Sequence, residues 1–115
     1  MKLAHIIAFV SDMDAAVRFY RDTLGFELRF QSPEWTEFAT GSTTLALHPS
    51  SATHAAGTMQ LGLHTEDMES FAATLGREGL RFTREPKMEQ WALLAEFADQ
   101  AGTRYSVSAP ARSGS

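Results

Sequence analysis

The chain has 115 residues, a formal net charge of −4 and no cysteine. That length can bury a core without metals or cross-links. The absence of cysteine excludes disulfides, thiolate nucleophiles and sulfur-ligated metals and fits a reducing cytoplasm, and the acidic balance without a basic stripe argues against a nucleic-acid partner.

Residues 6–10 (IIAFV) form an apolar run suited to a strand buried on both faces. Ser11 is the expected N-cap of the helix that follows, with Asp12 and Asp14 in its first turn. Met13, Ala16, Val17, Tyr20 and Leu24 share one helical face, and Gly25 stands where a helix ends in the left-handed conformation. Residues 26–30 alternate as a half-buried strand does. After a turn at 31–33, residues 34–39 and 43–48 read as a hairpin around Gly41. Residues 49–58 (PSSATHAAGT) are small, polar and breaker-rich, a linker.

The pattern then recurs. Gln60 precedes Asp67-Met68 by the seven residues that separate His5 from Asp12-Met13. A strand over 59–64 leads into a helix over 66–78, with Phe71, Ala72 and Leu75 at helical spacing and Gly79 as its stop. Residues 80–85 read as a strand ended by Pro86. Residues 89–97 (EQWALLAEF) have helical propensity but occupy the slot of a strand in the first half, and are assigned as one. A turn at 99–102 leads to a last strand over 103–108, and the tail 111–115 is expected to be mobile. The repeat gives an α+β fold of two tandem βαβββ modules, about 1–50 and 58–110, within a single domain.

This order, with VSDMDAAVRFYRDTLGFEL at 10–28 and FADQAGT at 97–103, resembles the vicinal-oxygen-chelate superfamily of glyoxalases, bleomycin-resistance proteins and extradiol dioxygenases. The most specific stretch is FYRDTLGF at 19–26. The resemblance implies cup-shaped mixed sheets with helices on the convex side, a cavity between modules, and commonly a homodimer. It also implies four site positions, one on the first and one on the last strand of each half. By the repeat these are His5, Ala46, Gln60 and Ser106.

That set suits a metal badly: alanine has no donor, serine is a weak one, and no carboxylate offsets a divalent charge or serves as the base that proton-abstracting relatives need. The expectation is a cavity that binds a small organic molecule without a metal. Its ligand-binding candidates are His5, which can switch charge near neutral pH, with Gln60, Ser106, His48, Trp35, Glu37 and Trp91. Trp35 and Glu37 alternate onto one face; Phe38, Phe97 and Tyr105 are expected mostly in the core, and Glu96 is either an inward carboxylate or an outward charge. The alternative is a metal-dependent enzyme of the same superfamily, with a divalent ion on His5, His48 and His64 and His5 as catalytic candidate. No Ser-His-Asp order, phosphate loop or dinucleotide fingerprint supports another enzyme class, and no segment is expected to enter a membrane.

Overall fold

In a computed structural model that describes residues 1–111, eight strands and two α-helices alternate in the order expected of the repeat. The expected mobile tail falls almost wholly outside the described residues. The chain divides into two compact units, Ala4–Gln60 and Leu61 onward with Met1–Leu3.

In the first unit, β1 (Lys2–Val10) is followed by α1 (Met13–Arg18), a π-helical stretch over Phe19–Thr23, then β2 (Glu27–Gln31), β3 (Thr36–Ala39) and β4 (Thr44–Pro49). The strands lie in the order β2-β3-β4-β1, with β1 parallel to β4 and the other pairs antiparallel. The second unit repeats this with β5 (Met59–His64), α2 (Met68–Arg77), β6 (Phe82–Glu89), β7 (Ala92–Ala98) and β8 (Arg104–Pro110), in the order β5-β8-β7-β6 with β5 parallel to β8.

Each helix covers one face of its own unit's strands. Val17 packs with Ala8, Phe38, Leu45 and Leu47, joined by Met13, Tyr20 and Phe26. Met68 and Leu75 pack with Ala95, Phe97, Val107 and Ala109, joined by Phe71 and Tyr105. Burying one such large apolar side chain stabilises the fold by about 1.5–3 kcal/mol. Because side chains alternate along a strand, the residues between these face the other way, onto a face without a helix.

Four local details differ from the sequence reading. The N-cap is Asp12 rather than Ser11: its carboxylate accepts from the Ala15 amide at 3.1 Å, as Asp67 accepts from Ser70. An Asp one residue nearer the helix reaches the third amide of the first turn, which Ser11 does not. The α-helix stops at Arg18, and a wider π turn carries the chain to Gly25, whose φ of +78° only glycine adopts without strain. Pro86 does not end β6; the register with β7 slips between Arg84 and Lys87, and such an irregularity accommodates a residue without an amide proton. Finally, Gln90 and Trp91 form the hairpin turn between β6 and β7, with Gln90 at φ +25°, so β7 begins only at Ala92.

Candidate functional site

The helix-free face of the first unit carries most of the site candidates. Along β1, His5, Ile7 and Phe9 face this side, and their partners on β4 are Thr44, Ala46 and His48. Ala46 pairs in turn with Glu37 on β3. Ile7, Phe9 and Ala46 form a small buried cluster with Trp35 against it.

Trp35 is fixed by its turn. The Ser32 amide donates to the Trp35 carbonyl at 3.0 Å, and the Trp35 amide donates to Ser32 Oγ at 3.0 Å. The indole Nε1 then donates to Glu37 Oε2 at 2.7 Å, a short charge-assisted bond. His5 Nε2 stands 3.7 Å from the same oxygen, and Arg29 stands 3.9 Å from Glu37 Oε1 while donating to Thr44 Oγ1 at 3.2 Å. Glu37 is therefore the hub of three side chains, from β1, β2 and the residue before β3. Ala46 opposite it is fully buried and has no side chain to compete for the space.

A run of rings crosses the same face. His5 meets Trp35 edge-on at 5.4 Å between centroids, Trp35 meets His48 at 6.2 Å, His48 meets Phe9 at 5.7 Å, and Phe9 stacks on His54 at 4.6 Å. His54 comes from the linker, which is tied back to β1 by hydrogen bonds from the Phe9 amide to the Thr58 carbonyl and from the Gly57 amide to the Phe9 carbonyl. His48 Nδ1 lies 2.8 Å from the Pro49 carbonyl, an acceptor only, so Nδ1 carries the proton and Nε2 is left as an acceptor. His5 Nε2 faces the Glu37 carboxylate at 3.7 Å, beyond hydrogen-bond distance.

The structure thus brings His5, Trp35, Glu37 and His48 together. Gln60, in the same unit, is buried, whereas Ser106 belongs to the second unit, opposite Gly62 and Glu96. Trp91 is not a lining residue of any strand: it is 85% exposed at the hairpin tip. His64, proposed from sequence as a metal partner of His5 and His48, is bonded instead to Ser108 and Glu66 within the second unit. Among the described residues no three His, Cys, Asp or Glu side chains gather as a metal cluster. The donor set does not fit a divalent ion: Ala46 offers nothing, and the nearby carboxylate of Glu37 is engaged by an indole and flanked by a guanidinium.

Three residues of this face escaped the sequence reading. Phe9 could have been found from its spacing of four to His5 on a strand, and Arg29 from alternation along β2. His54 lies in a linker and gives no periodic signal. A separate groove at the start of α1, lined by Ser11–Asp14 and Gln31–Pro33, contains none of the ring residues.

The model of the Glyoxalase/Bleomycin resistance protein/Dioxygenase superfamily matches residues 2–107. The chain belongs to this superfamily. Proteins of known structure share its fold at low identity. A hypothetical protein from Bacillus halodurans is 15% identical with a TM-score of 0.78, covering 99% of this chain and 97% of that one. A methylmalonyl-CoA epimerase from Mycobacterium tuberculosis is 18% identical with a TM-score of 0.75, over 96% and 89%. A variant methylmalonyl-CoA epimerase from Streptomyces coelicolor is 21% identical with a TM-score of 0.76, over 100% and 98%. No curated protein matches the chain significantly. These likenesses are of fold alone.

Proposed function

We propose that this protein binds a small, flat organic molecule on the helix-free face of its first unit, without a metal. The observation that carries this reading is the Glu37 hub. Its carboxylate holds the Trp35 indole, and the rings of His5 and His48 meet that indole edge-on. Aromatic walls with few, fixed polar groups suit a planar ligand. His48 Nε2 is an acceptor, so the ligand class is a planar molecule with a hydroxyl or N–H donor, such as a hydroxyaromatic compound. Gln60 adds an amide. The protein works as a cytoplasmic homodimer on this reading, with the apolar surface that Trp91 and Met88 leave exposed covered by the second copy.

The chain has two tryptophans, so a Trp91→Phe background leaves Trp35 as the sole indole reporter. A panel of hydroxyaromatic compounds should quench it saturably, and His48→Ala should weaken the response. Binding that requires a stoichiometric divalent ion, removed by a chelator, would replace this reading with the metal-dependent alternative. Sedimentation at micromolar concentration tests the dimer; a monomer removes it.

A further inference from the structure

The second unit contains a side-chain relay that the ring face does not use. His64 closes β5 and stands directly opposite Ser108 on β8. His64 Nδ1 is 3.0 Å from Ser108 Oγ, and His64 Nε2 is 3.1 Å from Glu66 Oε2. A carboxylate only accepts, so Glu66 fixes the imidazole proton on Nε2. Nδ1 is then a bare acceptor aimed at the serine hydroxyl, whose other acceptor, the Leu63 carbonyl, is farther away at 3.4 Å. That is the arrangement in which an imidazole draws the proton from a hydroxyl and a carboxylate holds the ring in the required tautomer.

The surroundings favour an apolar electrophile. Ser108 and His64 point away from α2, because the alternate residues Leu63, Val107 and Ala109 supply the core beneath that helix. Ser108 is partly exposed, and its cross-strand neighbour on β7 is Leu94, 43% exposed. An apolar acyl chain can lie on Leu94 with its carbonyl carbon beside Ser108 Oγ.

We propose that Ser108 is an activated nucleophile that accepts an acyl group from an activated apolar ester, with His64 as its base and Glu66 as the positioning residue. Ser108 Oγ attacks the carbonyl carbon while its proton passes to His64 Nδ1. The bond to the alcohol oxygen breaks, and the leaving group takes the proton from His64. Water attacking the acyl-serine by the same route returns the free hydroxyl and a carboxylic acid. No residue of the ring face takes part.

The test uses the intact protein and p-nitrophenyl butyrate, following nitrophenolate release and mapping the butyryl adduct by peptide mass. The expected result is one adduct per chain at Ser108, absent in Ser108→Ala and slowed roughly 100-fold in His64→Gln, the usual size of a lost general base. Glu66→Gln should slow acylation and Glu66→Asp should restore part of it, which a merely structural surface carboxylate would not do. Far-UV circular dichroism checks that each variant is folded. An alkyl fluorophosphonate, which spares amines, serves as the second probe; it loses fluoride as the Oγ–P bond forms. The proposal is overturned if neither probe modifies Ser108 of the folded protein, or if His64→Gln leaves the rate at Ser108 unchanged. Both outcomes are independent of hydroxyaromatic binding on the first unit.

Discussion

The Trp35 indole donates to the carboxylate of Glu37 at 2.7 Å, two residues along the same stretch of chain. Residues at this spacing face the same side of a strand, and the bond holds the indole against the cluster of Ile7, Phe9 and Ala46. A free carboxylate would attract cations or water. This one is spent on orienting an aromatic wall, with Arg29 balancing its charge.

The first prediction follows from that bond. Glu37→Leu should leave the fold intact but free the indole and weaken hydroxyaromatic binding about 10- to 100-fold, since hydrogen bonds to charged groups contribute about 1.5–3 kcal/mol. Calorimetric titration of the variant against the parent measures it. Unchanged affinity would separate Glu37 from ligand binding.

His5→Ala and Gln60→Ala should both reduce ligand affinity while metal content stays at background. Chelator treatment should alter neither stability nor binding. Elemental analysis of protein purified without chelator, together with the same titration, provides the check. One tightly held divalent ion per chain, lost in His5→Ala, would support the competing metal site.

Val17 and Leu75 hold corresponding places beneath the two units, 1% and 5% exposed. Val17→Asp or Leu75→Asp buries a charge without a partner, which costs several kcal/mol, a large part of the stability of a domain this size. Each variant should lose its cooperative thermal transition. A stable, soluble Leu75→Asp protein would contradict the placement of α2.

The turn before β8 predicts a pH dependence. The Tyr105 hydroxyl donates to Asp99 Oδ2 at 2.8 Å, while Asp99 Oδ1 accepts from the Ala101 and Thr103 amides at 2.9 Å. The Tyr105 hydrogen bond, with help from these amides, holds the Asp99 carboxyl below the ordinary carboxylate range, and the Asp99 hydrogen bond lifts the Tyr105 phenol above its own. A lowered carboxyl contributes stability above its unfolded value of about 3.9 and loses it as pH falls through the folded one. A raised phenol contributes below its unfolded value of about 10 and loses it as pH rises through the folded one. Tyr105→Phe should therefore cost stability by a constant amount between about pH 5 and 9, and the difference from the parent should shrink at both extremes. Urea melts across this range are the measurement; a difference that does not change with pH would assign the effect to packing on Phe97 alone.

The repeat was legible in the chain because its signals are local: a strand, an acidic cap, a helical apolar face and a glycine stop recur at an offset of 55 residues. From it followed both helices, the order of strands in each half, and the weakness of the donor set at Ala46. Alternation alone placed Trp35 and Glu37 on one face. Tertiary structure decided the rest, since it depends on which strands become neighbours. Nothing in the sequence sets His54 on Phe9, because this contact joins a strand to a linker far along the chain. The same holds for Ser108 and His64, 44 positions apart: no Ser-His-Asp order was visible, yet parallel pairing of β5 with β8 puts a hydroxyl opposite an imidazole, and the turn into α2 brings Glu66 to its other nitrogen. Trp91 marks the opposite limit, because a backbone turn at Gln90 turned a residue expected on a strand into the exposed tip of a hairpin. Local patterning fixes which residues face inward or outward; cross-strand register, which depends on the whole unit folding, fixes which of them meet.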